Sequence, residues 1–128
     1  MRWLFNHWLF WYVVGFVLVL LVVLTGLLPS SDLPSVSVND KVEHFVAYAG
    51  LALWFGGLTV PNHYYRLALW LLVLGGGIEI AQGVMHMGRE ADWHDFFADA
   101  VGVGAGLVAC LAGLRHWASW IEHWTRAR

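Results

Sequence analysis

Four long apolar stretches, separated by short polar turns, make up most of the chain. They cover approximately residues 8–28, 40–60, 64–86 and 92–114. Each is long enough, as an α-helix, to cross a hydrocarbon core of about 30 Å. Prolines and small polar residues at 29–35 interrupt any helix there. The pattern therefore predicts an all-α polytopic membrane protein, with a four-transmembrane-helix bundle as its first unit over residues 1–114.

The last segment, residues 115–128, has a different pattern. Its large apolar residues recur at helical spacing with basic residues between them, and they are Trp117, Trp120, Ile121 and Trp124. A short helix with one apolar face and one basic face is typical of a segment that lies in the membrane interface. We therefore expect a C-terminal amphipathic interfacial helix as a second unit.

The composition indicates that lipid is the solvent for much of the protein surface. Hydrophobic residues make up 59% of the 128 residues and charged residues only 12%. A chain of this length cannot bury so much apolar surface within itself. It has no basic run, so nothing favours a nucleic-acid partner. Cys110 lies in an apolar run without a second cysteine, and we expect it to be a small core residue.

The positions of tryptophan, lysine and arginine predict how the bundle sits in the membrane. Most tryptophans, Trp11 and Trp117 among them, lie near segment ends, as in interfacial aromatic belts. With four crossings, five basic residues share one side, namely Arg2, Arg66, Arg115, Arg126 and Arg128. Only Lys41 and Arg89 lie on the other side. Because basic loops tend to stay in the cytoplasm, we expect both termini to be cytoplasmic.

Three sets of polar residues keep helical spacing near the outward ends of the last three segments. They are Asp40, His44 and Tyr48; Glu79, Gln82 and His86; and Asp92, Asp95 and Asp99. Residues so spaced are neighbours on one helix face. Each face should turn away from lipid, where polar groups would lack partners. We therefore expect the three sets to meet in one pocket beneath the outer surface.

The negative charges of the acidic residues in the fourth segment must be compensated. Asp95 and Asp99 repel each other if both are ionised, so a cation, a metal ion or a shared proton must lie nearby. Asp92 and Asp95 can instead stabilise the N-terminal end of the fourth helix through its dipole. Asp99 lies two turns further along the segment, where that dipole helps little.

The remaining polar residues also have structural roles open to them. Glu79 can hydrogen-bond to Gln82, to His86 or to a neighbouring helix. His44 is equally suited to be a hydrogen-bonded histidine and to be a ligand or base. His86 and His94 lie near the interface, where we expect them to be solvated.

Two kinds of chemistry fit the predicted pocket. Carboxylates suit hard divalent ions and an added imidazole admits zinc or iron; the candidate ligands are Asp40, His44, Glu79, Asp95 and Asp99. Proton transfer needs no metal: His44 or Glu79 would act as base, while Lys41 and Arg89 would bind an anionic group such as phosphate.

Small residues in the fourth segment have a packing explanation. Gly102 and Gly106 form a GxxxG pattern, which lets helix backbones approach closely. We expect these glycines to pack helices together, and Gly102 and Gly106 are also the candidate surface for a homo-oligomer.

At these residues the chain resembles the VanZ-like family of small bacterial membrane proteins, named for a member associated with resistance to the glycopeptide teicoplanin. The matching motifs are Asp40-Lys41-x-x-His44-Phe45 with Tyr48 and Leu51, then Glu79-x-x-Gln82, then Arg89-x-x-Asp92-x-x-Asp95 followed by Asp99 and Gly102. The family more often has asparagine at the position of Asp99, so this chain carries an additional acid there. The resemblance implies a multi-pass domain in the bacterial cytoplasmic (inner) membrane, with an effect at the cell envelope.

Two classes of function remain open. An enzyme would act on a lipid or lipid-linked cell-envelope molecule, with metal-assisted or acid–base work assigned to Asp40, His44, Glu79 and Asp95. The residues expected to bind or support its substrate are Lys41, Arg89, Gln82, Asp92, Tyr48 and Asp99. A non-catalytic protein would bind lipid or glycopeptide, or serve as an accessory subunit, and its polar residues would fix helix packing. A transporter is the weakest option, because no polar stripe continues into the cytoplasmic half.

Overall fold

The computed structural model describes the backbone of residues 2–27, 40–85 and 92–126, and the side chains within 8–27, 41–85 and 92–126. These described residues form helices and turns without any strand, so the prediction of an all-α protein is confirmed. The helices are α1 (Arg2–Leu27), α2 (Asp40–Gly56), α3 (Tyr64–Met85), α4 (Trp93–Leu111) and α5 (Trp117–Arg126). Single 3₁₀ turns, Pro61–His63 and Leu114–His116, precede α3 and α5.

Three segments of the described chain are long and apolar enough to cross a membrane. They are Trp8–Leu27, Pro61–Met85 and Trp93–Leu111. Large apolar side chains on these helices face outward: Phe16, Trp70 and Phe97 are 64%, 74% and 68% exposed. So much exposed apolar surface indicates a membrane protein. α2 has 17 residues, about 25 Å of helix, and falls slightly short of the length that spans a bilayer without tilt or thinning.

α2 and α4 run parallel and share the most extensive contact between helices in the described chain. A Cβ atom built on Gly102 would lie 2.5 Å from the carbonyl oxygen of Phe45, and one on Gly106 would lie 2.6 Å from that of Ala49. Only glycine allows backbones to approach so closely. The two glycines are therefore buried packing residues within one chain. A homo-oligomer is still a prediction, but it would need a surface other than Gly102 and Gly106.

α3 runs antiparallel to α4, and α1 completes the bundle by packing on α2 and α3. Glu79 of α3 contacts Asp92 just before α4, whereas Gly75, one turn earlier, lies against Asp99. Near the end of α1, the carbonyl oxygen of Gly26 accepts a hydrogen bond from Gln82 of α3. The direction of the chain therefore alternates from α1 to α4.

Two helices end earlier than the sequence pattern predicts. α2 ends at Gly56 and not near Val60. Residues 57–59 form a turn and a bend, and Val60, which precedes Pro61, is extended (φ −69°, ψ 142°), as residues before proline usually are. α4 ends at Leu111 and not at Leu114. Gly113 adopts φ 128°, a left-handed conformation that glycine tolerates and that cannot continue an α-helix.

An aromatic cluster closes the end of the bundle opposite the polar residues. The rings of Trp54 and Trp117 lie 4.3 Å apart, and Trp11 packs edge-on against both. The indole N–H of Trp117 donates to the carbonyl oxygen of Leu53 at 3.0 Å. Trp11 and Trp117 are thus half-buried, and their contacts attach α5 to the bundle. Cys110 is fully buried, as predicted.

Candidate functional site

The centre of the polar site is a contact between an imidazole and a carboxylate. His44 lies one turn into α2, and its Nδ1 atom is 2.6 Å from Oδ1 of Asp99, two turns into α4. The Asp99 side chain is 1% exposed and that of His44 is 14% exposed. This contact depends on the parallel packing of α2 and α4, because that packing places His44 and Asp99 at the same depth.

Gly75 of α3 provides the space for the Asp99 carboxylate. A Cβ atom on Gly75 would lie 2.7 Å from Oδ2 of Asp99 and 3.4 Å from the hydroxyl oxygen of Tyr48. Tyr48 is buried beside this carboxylate, one turn after His44. Gly75 is not among the predicted site residues, although its position one turn before Glu79, on the same helix face, could have identified it.

Glu79 brings a second fully buried carboxylate to the site from α3. Its Oε2 atom accepts a hydrogen bond from the backbone N–H of Asp92 at 2.9 Å. Its Oε1 atom is buried and has no hydrogen-bond partner within the described part of the chain. A neighbouring helix terminus therefore satisfies one oxygen of this carboxylate and leaves the other open, which is uncommon for a buried polar atom.

His44, Glu79 and Asp99 converge on one point, as the spacing of the three polar sets predicts. Each offers one nitrogen or oxygen atom, and the three atoms lie within 4.8 Å of one another. They come from three different helices, so tertiary packing alone brings them together. An imidazole and two carboxylates at this separation can exchange protons or bind a cation.

Lys41, Asp92 and Asp95 form the rim of the site. The Nζ atom of Lys41 lies 3.4 Å from a carboxylate oxygen of Asp92 and 3.5 Å from one of Asp95. Asp95 also approaches Nε2 of His44 at 3.7 Å. Lys41 thus compensates two acids, and its side chain is half-exposed at the rim of the site. Lys41 is therefore a cation beside Asp95, one of the three kinds of compensation considered for the pair of Asp95 and Asp99.

Asp92 is the N-cap of α4, at the helix terminus where the sequence places it. Its carboxylate accepts the backbone N–H of His94 at 2.9 Å. This hydrogen bond, supported by the His94 side chain and by Lys41, lowers the pKa of Asp92 below its ordinary value of 3.8. His94 itself is 84% exposed, in agreement with the expected solvated histidine.

The other predicted site residues lie elsewhere or beyond the described part. Gln82 is buried, but its amide donates to the backbone of α1 at 2.6 Å and ties α3 to α1. The side chains of Asp40, His86 and Arg89 lie outside the described residues. The backbone N–H of Asp92, which contacts Glu79, could not be found from side-chain spacing.

No protein-family model, no curated protein and no solved structure matches this chain. The class of protein is therefore defined by its own features: an all-helical chain with three membrane-length helices in its described part and a buried polar site between helices. Membership of the VanZ-like family stays a prediction from the sequence motifs.

Proposed function

We propose that this chain is a VanZ-like protein of the bacterial cytoplasmic membrane, in which α1 to α4 cross the bilayer. The alternating direction of the helices supports four crossings, because α2 runs opposite to α1 and α3. α2 is short, but a modest thinning of the bilayer accommodates such a helix. The excess of basic residues beside the tryptophan cluster supports cytoplasmic termini, and the polar site then lies near the outer surface.

The C-terminal α5 would lie in the cytoplasmic interface. Trp120 and Trp124 are 50% and 68% exposed, and Ile121 between them is 44% exposed. Trp117 points the other way, into the bundle. A helix held at one edge, with exposed tryptophans on it, is suited to insert shallowly among lipid headgroups.

The site would act on a lipid or lipid-linked molecule of the cell envelope. The observation that carries this proposal is the convergence of His44, Glu79 and Asp99 between three helices. Ionisable residues within membrane-spanning segments are costly and usually mark a functional site. Three such residues at one place are hard to explain by packing alone, since apolar residues would pack there without this cost.

The chemistry of the site follows from its hydrogen bonds. With Nδ1 directed at the Asp99 carboxylate, the His44 ring is fixed, and its Nε2 atom, which lies 3.7 Å from Asp95, would accept or donate the proton. Lys41 at the mouth would attract an anionic headgroup, and Arg89 would join it. The apolar outer surfaces of the helices would hold the acyl chains of an amphiphilic substrate.

The test compares lipids from bacteria that express matched variants. Glu79→Gln replaces the buried carboxyl group by an amide of nearly the same volume, and Glu43→Gln makes the same change at an exposed position near the start of α2. Wild type and Glu43→Gln should change the same lipid or lipid-linked species, detected by mass spectrometry, while Glu79→Gln should not. Sensitivity to teicoplanin is the second readout. Equal lipid profiles and drug sensitivity in all strains at equal protein levels would contradict the proposal.

A non-catalytic role is the second candidate, and hydrogen bonds between helices favour it. Gln82 joins α3 to α1, and Glu79 joins α3 to the start of α4. These contacts would fix helix register in a lipid- or glycopeptide-binding protein or an accessory subunit. In that case, Glu79→Gln and His44→Ala should lower the amount of folded protein before any other effect is seen.

A further inference from the structure

We propose that His44, Glu79 and Asp99 together bind one divalent transition-metal ion between α2, α3 and α4. Their donor atoms lie within 4.8 Å of one another. Three atoms within 4.8 Å of one another can all lie within about 2.8 Å of one point, so inward shifts of up to about 0.8 Å give the ~2.0–2.2 Å bonds of zinc to nitrogen and oxygen. Small changes in side-chain rotamers provide shifts of this size.

The buried Oε1 atom of Glu79 is the second observation that points to a cation. Glu79 is 0% exposed, and this oxygen has no hydrogen-bond partner in the described part of the chain. The other oxygen is held by the backbone N–H of Asp92, which fixes the orientation of the carboxylate. A buried oxygen without a partner is costly in a low-dielectric environment, and a bound cation removes that cost.

The distribution of charge supports an ion at this point. Glu79 and Asp99 are both fully buried and belong to the same cluster. Lys41 is directed to Asp92 and Asp95 at the rim, at 3.4 Å and 3.5 Å. Two neighbouring carboxylates that share a site favour a proton or a metal ion between them. With two carboxylates at the centre, a divalent ion compensates the charge of both.

The donor set defines the class of ion. One imidazole and two carboxylates suit Zn²⁺ or Mn²⁺ better than soft ions, which prefer thiolates. Three protein ligands leave at least one coordination position for water or substrate, as in catalytic zinc sites. When bound, such an ion would polarise a phosphoryl or carbonyl oxygen and activate water.

The proposal deepens the proposed function and rests on the same site, but metal binding can be measured without any substrate. Binding of an ion without an effect on envelope lipids would leave the metal site intact and contradict the lipid function. An effect on lipids that depends on Glu79, in a protein that binds no ion, would support the lipid function and contradict the metal site. The two proposals therefore fail separately.

The experiment uses the full chain in lipid nanodiscs, stripped of metal by a chelator and titrated with Zn²⁺ or Mn²⁺ alone. We expect one equivalent of ion per wild-type chain. Glu79→Gln and Asp99→Asn should weaken binding by about 10-fold or more. The matched control Glu43→Gln should bind as wild type does. Binding of less than one equivalent by wild type, or equal affinity in Glu79→Gln, overturns the proposal.

A second measurement uses wild-type protein and does not depend on the folding of any variant. Pulsed electron paramagnetic resonance of bound Mn²⁺ should show magnetic coupling to the nitrogen of one imidazole, that of His44. Bound Mn²⁺ without nitrogen coupling overturns the proposal.

Discussion

The close packing of α2 against α4 predicts a large difference between two glycine substitutions that are only two residues apart. In Gly106→Ala, the new methyl group would lie 2.6 Å from the carbonyl oxygen of Ala49 and 2.7 Å from the Cβ atom of Ala52. Ordinary contacts of this kind are 3.4–4 Å long. Backbone atoms cannot rotate away, so the helices must separate by nearly 1 Å.

Gly104→Ala is the matched control, because it lies on the same helix and is exposed. A Cβ atom there meets nothing within 4 Å. Both substitutions gain about 1 kcal/mol of helix propensity, and this gain cancels when the two variants are compared. Overpacking costs about 1–3 kcal/mol, so Gly106→Ala should be less stable than Gly104→Ala by that amount.

The assay is reversible unfolding in mixed micelles by increasing amounts of sodium dodecyl sulfate, followed by tryptophan fluorescence. Gly104→Ala should be as stable as wild type or more stable. The free energy of unfolding should be lower for Gly106→Ala, and Gly102→Ala should behave in the same way, since its methyl group would meet the backbone of Phe45. Equal free energies for Gly104→Ala and Gly106→Ala would refute the close helix contact.

Three further predictions concern the site and the two ends of the bundle. Gly75→Ala places a methyl group 2.7 Å from a carboxylate oxygen of Asp99 and should reduce metal affinity or activity about 10-fold. Gly77→Ala is the control, because its methyl group meets nothing within 4 Å, and it should have no such effect. Equal effects of the two substitutions would count against the close contact between Gly75 and Asp99. Because folding lowers the pKa of Asp92, the wild-type protein should lose stability as the pH falls below about 3.8. Asp92→Asn keeps a capping oxygen and should lose less stability over the same pH interval. Parallel profiles of stability against pH for the two proteins would contradict this titration of Asp92. Trp117→Phe removes a hydrogen bond to the α2 backbone and should make the chain just before α5, at Leu114–His116, more sensitive to proteolysis. Trp124→Phe, at an exposed position, should not change the cleavage rate. Equal cleavage rates in the two variants would argue against the attachment of α5 to the bundle through Trp117.

The polar site can be interpreted as a ligand-binding site or as a network that packs helices, and the two interpretations predict different hydrogen bonding of the same residues. A packing network needs every buried polar atom to have a partner, and Gln82 meets that demand through the backbone of α1. Glu79 meets it at only one of its two oxygens. That difference favours a site that takes up a ligand, since a network selected only for packing would leave no oxygen open at its centre.

The sequence by itself determined the class of the fold, the approximate extent of the helices and the residues that share a helix face. Helical periodicity is local, so the spacing of His44 and Tyr48, or of Asp95 and Asp99, places each pair on one face whatever the fold. The cost of exposing polar groups to lipid then turns those faces inward. For this reason the convergence of three helices could be predicted before their packing was known.

Only the tertiary structure decided which atoms meet. The contact between His44 and Asp99 requires α2 and α4 to approach at Gly102 and Gly106, and that distance depends on backbone atoms of both helices. The partner of Glu79 is a backbone N–H, which no pattern of side chains reveals. Periodicity fixes the direction of a side chain around its own helix, whereas the rotation and separation of two helices follow from the fit of their surfaces.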